Sequence, residues 1–306
     1  MKNNLLKFVT CILALSLAAA VASAQTKQTS HDFSDFDALE VDYDFTVRVV
    51  DARKYSVSMN IEEALKDYVQ AYVKNHTLYL TLDEKNLPSD VRKLFRGRRS
   101  SPVLDVTVYM PEALTSVKVA GSSSLTVEQE LECSDFVMDL SESASVKKLV
   151  VDASNIMVTA AGKSVADIVL FADNIKLNVA GSSKFEVEQD SERIEIVAGG
   201  NCQIDVEGET LDAQLTTSGS SKTTLKGKTN TLSVNGSGSS TVDAVNFLTS
   251  ECTARLSNSS KLYEAATEAL HIDLSGNSTL VFDGDPVIDI INVKSSTIQR
   301  YSNGRR

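Results

Sequence analysis

The stretch Val179-Ala180-Gly181-Ser182-Ser183-Lys184-Phe185-Glu186-Val187 contains the pattern that decides the fold. Apolar residues alternate with polar ones before and after a small-residue turn at 181–183. Alternation with period two on both sides of a turn is typical of β-strands and not of helices. The stretch therefore predicts two strands joined at a corner, where a glycine suits a backbone with positive φ.

The same unit recurs from Val117 to the end of the chain, at spacings of 18 to 21 residues. The residues that open the successive turns are Gly121, Glu142, Gly162, Gly181, Gly200, Gly219, Gly238, Asn258, Gly276 and Lys294. A fixed period of this length indicates a solenoid whose coils bury their apolar faces on one another. Because the period-two pattern excludes helical repeats, we predict an all-β fold: a single-stranded parallel β-helix of about ten coils. The varying coil length and the lack of a hexapeptide sub-period favour a right-handed helix.

Two columns of serine follow from this stacking. They are Ser122, Ser182, Ser220, Ser239 and Ser259 at one position, and Ser123, Ser183, Ser221, Ser240 and Ser260 at the next. Stacked hydroxyl groups can bond to one another and to the turn backbone. A flat ice-binding array is the functional alternative, but it requires a face of repeated threonine, and these serines lie in turns. We therefore interpret the columns as structural.

The rest of the chain divides by composition. Residues 1–24 resemble a secretory signal peptide, with basic residues, an apolar core and Ala22-Ser23-Ala24 as the cleavage motif. We expect a flexible lead-in at 25–35, a small β-rich cap at 36–116 with a charged loop at 84–102, repeats at 117–300 and a tail at 301–306. Within the cap, 61–67 has the apolar spacing of a short helix. After signal removal we expect an exported protein without a transmembrane segment, in the periplasm or on the surface of a Gram-negative bacterium.

Composition excludes several classes of function. The net charge of −11 argues against binding to nucleic acid or to anionic membranes.

Cys133, Cys202 and Cys252 remain after the signal peptide, an odd number without metal-ligand spacing. The coil arithmetic places them too far apart for disulfides. We predict three unpaired thiols, with Cys252 facing the core and Cys202 in a turn.

Repeated Gly-Ser-Ser turns after a β-rich lead-in at Phe36–Met110 give the chain a family resemblance. The matching turns are Gly121-Ser122-Ser123, Gly181-Ser182-Ser183, Gly219-Ser220-Ser221 and Gly238-Ser239-Ser240. The pattern resembles the exported bacterial family described as putative auto-transporter adhesin, head GIN domain, over roughly residues 36–300. The resemblance implies a right-handed β-helix, a cell-envelope setting and an adhesive role, and it implies no catalytic or binding residues.

Coil arithmetic brings four carboxylates together as the first candidate site. Glu186 and Glu188 should face outward on one coil, beside Asp205 and Glu207 on the next. A hard cation such as Ca²⁺ could relieve the repulsion between stacked acids with oxygen ligands. We hypothesise weak Ca²⁺ binding, with a solvated acidic face as the alternative. A melting temperature that does not change in millimolar Ca²⁺ would refute the hypothesis. No other cofactor is expected.

The second candidate site is a basic segment in an otherwise acidic chain. It contains Arg92, Lys93, Arg96, Arg98 and Arg99. Clustered guanidinium groups can bind anionic glycans or phosphates. The alternative is a mobile surface loop that is cut by proteases.

These observations favour a non-catalytic binding or adhesion module whose partners are envelope or host glycans or proteins. A lyase acting on polysaccharides is the first alternative. Such an enzyme needs acidic metal ligands beside an Arg or Lys base, and the four carboxylates could be those ligands. Lys184 and Lys222 are the nearest bases in sequence, but they need not face the carboxylates, and no exposed aromatic platform for sugar is evident. A purely structural envelope protein is the second alternative.

Overall fold

The computed structural model describes residues 26–95 and 102–301. Both the expected signal peptide at 1–24 and residues 302–306 of the expected tail lie outside this range. Within it the chain forms one short helix, α1 (Ser89–Phe95), and twenty strands. The strands are β1 (Thr26–Asp32), β2 (Ala38–Val41), β3 (Thr46–Asp51), β4 (Ser56–Glu62), β5 (Val69–Lys74), β6 (Thr77–Leu82), β7 (Leu104–Met110), β8 (Ser116–Val119), β9 (Ser124–Val127), β10 (Leu131–Leu140), β11 (Ser145–Ala160), β12 (Val165–Val179), β13 (Lys184–Ala198), β14 (Gln203–Thr217), β15 (Lys222–Gly236), β16 (Thr241–Leu256), β17 (Lys261–Leu274), β18 (Thr279–Asp283), β19 (Val287–Val293) and β20 (Thr297–Arg300).

Strands β10 to β17 wind around one core and pair in parallel with the coils on either side. Val187, for example, is in register with Ile168 on the preceding coil and with Val206 on the following one. Alternate side chains point inward, and the parity changes at a corner where Glu192 and Arg193 are both exposed. The predicted all-β parallel solenoid is confirmed.

Positive φ angles confirm the repeat register. Nine of the ten predicted turn-opening residues, from Gly121 to Gly276, have φ between 60° and 78°. The tenth positive φ falls on Ser295 rather than on Lys294, one residue later than predicted. At Gly181, a Cβ atom would lie 2.5 Å from the carbonyl oxygen of Gly162 in the coil below. Close backbone approach and positive φ together explain why glycine dominates this position.

The two serine columns have different environments. The first column is exposed, whereas the second points inward and is almost fully buried. Its hydroxyl groups bond to turn carbonyls, as when Ser183 Oγ donates to Ala180 O and Ser240 Oγ to Ser237 O, both at 2.9 Å. Cys202 occupies the same inward position in its own coil and is likewise buried. These bonds support the structural interpretation of the serines.

The solenoid begins earlier in the chain than the sequence predicted. Strands β2 and β3 pair in parallel with β8 and β9, so residues 38–51 form the coil directly below 116–127. Tyr43 has φ of 99° at its turn, and its carbonyl oxygen lies beneath Gly121. The predicted start at 117 therefore misses one coil, because an insertion of about sixty residues separates it from the coil that it supports.

The inserted segment forms the cap. Strands β6 and β7 lie beneath β2 and β3 in parallel, and β4 and β5 then close this end by antiparallel pairing. Apolar side chains such as Val57, Leu65 and Leu114 are completely buried there. The N-terminal end of the solenoid is thus covered by the antiparallel strands β4 and β5, which do not continue the parallel stack.

Three local predictions in the cap differ from the structure. The helix predicted at 61–67 is wrong: Ile61 and Glu62 end β4, and hydrogen-bonded turns follow, because the apolar residues there complete a strand edge. The charged loop at 84–102 contains helix α1. Within the lead-in expected to be flexible, residues 26–32 form β1, whose backbone pairs antiparallel with the edge of β4.

The cysteine predictions agree with the structure. Cys133, Cys202 and Cys252 are all free. Cys252 faces the core with no exposed surface, and Cys202 lies in a turn. No helix within residues 26–95 and 102–301 is both long and apolar enough to cross a membrane.

Candidate functional site

The four predicted carboxylates do lie together. Parallel pairing of β13 and β14 places Glu186 beside Asp205, and Glu188 beside Glu207. We call these four residues the acidic patch. They line a shallow surface depression of about 320 Å³. The coil arithmetic was therefore sufficient to locate them.

Nearby lysines offset much of this negative charge. Lys184 Nζ lies 2.8 Å from Glu186 Oε1, and Lys226 Nζ lies 3.6 Å from Glu207 Oε2. Gln203 Nε2 donates a hydrogen bond of 2.8 Å to Asp205 Oδ2. Among the described residues, no group of three or more acidic, histidine or cysteine side chains has an arrangement that could hold a metal ion. Weak Ca²⁺ binding stays a prediction.

The same contacts bear on lyase chemistry. Lys184 faces the acidic patch, and its hydrogen bond to Glu186, followed by the charge of that carboxylate, raises the lysine pKa. A general base must be neutral to accept a proton, so a raised pKa makes this lysine a poorer base. The geometry of the acidic patch therefore favours solvated ion pairs over an acid–base pair.

The basic segment is only partly within the described chain. Arg92 and Lys93 lie on α1 and are exposed. Arg92 Nη2 donates hydrogen bonds to the carbonyl oxygens of Glu84 and Lys85, at 2.8 and 3.1 Å, and so fastens the helix to the preceding loop. Arg96, Arg98 and Arg99 lie outside the described residues. Glycan binding by this segment stays a prediction.

A second surface, which sequence reasoning missed, runs along one outer face of the solenoid. Its residues occupy equivalent positions on consecutive coils and are linked by strand pairing from β5 to β19. In order they are Tyr72, Tyr79, Glu40, Lys118, Asp139, Thr159, Asn178, Val197, Thr216, Asn235, Arg255, Asp273 and Asn292. We call this set the tyrosine row. All of its side chains are exposed or half-buried.

The N-terminal end of the tyrosine row combines aromatic and charged groups. The rings of Tyr72 and Tyr79 stack with centroids 5.1 Å apart and planes inclined by 13°. On the next two coils, Lys118 Nζ lies 2.8 Å from Glu40 Oε1. This hydrogen bond to Glu40 is the main cause that raises the pKa of Lys118. The lysine therefore stays charged, with Glu40 between it and the aromatic pair.

The C-terminal end of the tyrosine row is polar throughout. Thr216, Asn235, Arg255 and Asp273 line a surface groove of about 320 Å³. Asn292 Nδ2 donates a hydrogen bond of 3.2 Å to Asp273 Oδ1 on the coil below. The side chains on this part of the row present hydrogen-bond donors and acceptors to solvent.

No local motif could have revealed the aromatic end of the row. Tyr72 and Tyr79 come from the antiparallel cap, Glu40 from the first coil and Lys118 from the second. Only the non-sequential stacking of the cap below the first coil brings them into line. The alternation of β5 and β6 was a usable signal for outward tyrosines, but it did not indicate which surface they would join.

Comparison with solved structures returns several chains of low sequence identity. A putative adhesin from Parabacteroides merdae is 12% identical, with a TM-score of 0.45, and the match covers 92% of this chain and 98% of that one. A putative adhesin from Parabacteroides distasonis is 14% identical, with a TM-score of 0.47 over 91% and 98% of the two chains. A putative lipid binding protein from the same species is 15% identical, with a TM-score of 0.45 over 92% and 98%.

Comparison with curated proteins returns no match. A family model, in contrast, matches residues 35–189 and again 175–286, which together cover most of the chain. The two matches meet within the central coils and include both the cap and the repeats. The chain therefore belongs to the family described as putative auto-transporter adhesin, head GIN domain.

Proposed function

We propose that this protein is an exported, non-catalytic adhesion module that binds an extended glycan along the tyrosine row. The observation that carries the proposal is the stacked pair of Tyr72 and Tyr79 at the head of a continuous polar row. Membership of an adhesin family supports a role at the cell surface or in the periplasm. The ligand is a glycan of the envelope or of a host.

The aromatic pair suits one sugar ring. Tyrosine presents a rigid apolar face together with a hydroxyl group, and few rotatable bonds are lost when it makes a contact. The apolar face of a pyranose can lie on the exposed ring of Tyr72, which is 42% exposed. Glu40 and Lys118 stand next along the row, where they can bond to sugar hydroxyl groups.

The remainder of the row suits further sugar units. Coils repeat at ~4.8 Å, so the thirteen positions extend over roughly 55–60 Å. Hydroxyl, amide and charged side chains occupy this length on both sides of Val197 and offer donors and acceptors about one coil apart. A polymer can therefore gain affinity from many weak contacts on one rigid face.

A catalytic role has less support. Each surface has a lysine that is paired with a carboxylate, as at Lys118–Glu40 and Lys184–Glu186. The carboxyl group with a strongly raised pKa is that of Glu264, and it is buried in the core away from both surfaces. Catalysis by a glycan-cleaving acid requires such a group at the surface, within reach of substrate.

A glycan array probed with the chain from residue 25 to 306 tests the proposal. We expect binding to at least one polymer, and a weakening of about tenfold or more, equal to about 1.4 kcal/mol, in Tyr72→Ala. Phe171→Ala is the matched control, because Phe171 is a 40% exposed aromatic away from the row. Absence of glycan binding, or equal binding by Tyr72→Ala and wild type, would contradict the proposal.

A deletion of residues 91–99 separates the tyrosine row from the basic segment. If the row is the binding surface, this deletion leaves both folding and glycan binding intact. Loss of binding in the folded deletion variant would assign the glycan site to the basic segment instead.

A further inference from the structure

The last coil of the solenoid exposes an unusual concentration of aliphatic side chains. All seven positions of β19 are exposed. Its apolar members are Val287 (76% exposed), Ile288, Ile290, Ile291 and Val293. Elsewhere in the solenoid the inward positions are almost completely buried. This end therefore presents core-type side chains to solvent.

The position of these side chains explains their exposure. Ile288 is in register with Leu270, and Ile290 with Ile272, on the coil below. Leu270 and Ile272 have no exposed surface because β19 covers them. Ile288 and Ile290 occupy the same inward columns, but no further coil of the described chain lies above them. They would be buried by any surface that took the place of a further coil.

The backbone at this end is also available. Within the described chain, β19 pairs only with β17, and β20 pairs only with β18. Their outer edges therefore carry N–H and C=O groups without strand partners, which is a template for association with another chain. Ile291 is an extra residue with no counterpart in β17, so the edge is interrupted by a bulge. Side-chain packing rather than a continuous ladder would hold a partner here.

The charges on this end suit a second copy of the same chain. Strand β19 itself carries a single charged side chain, Asp289, and Lys294 follows it directly. Little like charge would therefore be brought together where two β19 strands meet. Asp289 Oδ2 lies 3.1 Å from His271 Nδ1 of its own chain, and in a two-fold arrangement with antiparallel β19 strands it can also face Lys294 of the other copy.

We propose that two copies of this protein associate end to end through β19, around a two-fold axis. The aliphatic side chains and nearby backbone of both copies expose roughly 1,000 Å², which is at the weak end of specific interfaces. The dimer is therefore reversible and concentration-dependent. Its two tyrosine rows point away from the junction and lie on one elongated particle, which would increase avidity for a polymer. The dimer itself does not depend on glycan binding.

Sedimentation equilibrium of the chain from residue 25 to 306 tests this inference. We expect a monomer–dimer equilibrium whose dissociation constant rises about tenfold or more in Ile290→Lys, because Ile290 continues the inward column of Ile272 and the lysine charge would be desolvated at the junction. Leu248→Lys is the matched control, since Leu248 is 56% exposed on the side of the solenoid and should not change the equilibrium. Circular dichroism of each variant confirms folding.

A cross-link gives a second, independent readout. In a Cys133→Ser background, Ile291→Cys should form a disulfide-linked dimer on mild oxidation, since Cys202 and Cys252 are buried. A wild-type chain that stays monomeric at every concentration would overturn the inference. A dimer that is insensitive to Ile290→Lys, or one without the cross-link at 291, would also overturn it.

Discussion

The two ends of the solenoid present the same kind of coil to very different surroundings. At the N-terminal end, β4, β5 and β1 cover the first coils with antiparallel pairing and buried apolar side chains. At the C-terminal end, aliphatic side chains of β19 continue the inward columns of the solenoid but are exposed to solvent. The repeat alone does not close a solenoid, because each coil needs cover on both sides. A non-repeating segment provides that cover at one end, and we propose a second copy at the other.

The largest expected effect concerns two buried glutamates, one near each end. Near the open end, Glu264 lies in an inward column between Ala244 and Phe282 and has no exposed surface. Neither carboxyl oxygen has a hydrogen-bond partner of good geometry among the described residues. Burial, followed by the charge of Asp283, raises the pKa of Glu264 from 4.5 to about 8, while the nearby Ala266 N–H opposes the shift.

Because the unfolded chain ionises this group first, stability falls as pH rises from about 4.5 to about 8. The loss above pH 8 amounts to about 5 kcal/mol at 1.36 kcal/mol per pKa unit. We expect Glu264→Gln to match wild type near pH 4.5 and to be more stable by up to that amount at pH 9. Urea unfolding at the two pH values measures the difference.

Glu62, near the capped end, is the matched control. It is also buried, but Val103 donates a backbone hydrogen bond to Glu62 Oε2 at 3.4 Å. Glu62→Gln should therefore bring no comparable gain at pH 9. Equal gains in the two variants would show that a buried carboxylate lowers the free energy of unfolding by the same amount at the capped and open ends.

The next effect compares the loss of aliphatic groups at the two ends. Leu80 is buried in the cap-side coil, where it pairs with Val41, whereas Ile290 is 57% exposed on β19. We expect Leu80→Ala to reduce the free energy of unfolding by about 2–5 kcal/mol, because it leaves a cavity. Ile290→Ala should cost less than about 1 kcal/mol in dilute monomer. Urea unfolding at low protein concentration checks both values, and a large cost for Ile290→Ala would show that the open end is already covered.

The smallest effect concerns local opening. Cys252 is two coils from the open end, and Cys202 is several coils deeper. Solenoids open from uncovered ends because each coil contacts only its neighbours. In a Cys133→Ser background, thiol labelling of the native protein should modify Cys252 about tenfold faster than Cys202, equal to about 1.4 kcal/mol. Faster labelling of Cys202 would contradict fraying from the C-terminal end.

Much of the repeat region could be predicted from residue patterns. Period-two alternation and turn spacing located the positive φ angles from Gly121 to Gly276, the inward Cys252 and the neighbouring carboxylates of the acidic patch. These features depend on residues one coil apart. Because the period is nearly constant, such residues can be identified in the sequence. The paired lysines were harder to anticipate, since ion pairing depends on side-chain rotamers.

Prediction was poorer where stacking does not follow chain order. The helix at 61–67 was wrong because its apolar spacing arises from the end of β4 and a turn beneath the first coil. The first coil itself was missed because residues 52–115 separate it from its neighbour in the stack. The tyrosine row was missed for the same reason.

The sequence by itself determined that this chain is a parallel β-solenoid with glycine-rich turns, in which Cys133, Cys202 and Cys252 are free thiols. Local alternation and a fixed period are sufficient for that, because hydrogen bonding and burial in a coil repeat from one neighbour to the next. Only the tertiary structure decided which coil covers which, and hence that Tyr72 and Tyr79 head a polar row and that β19 is left open. Those features depend on contacts between segments far apart in the chain, and no period relates such segments.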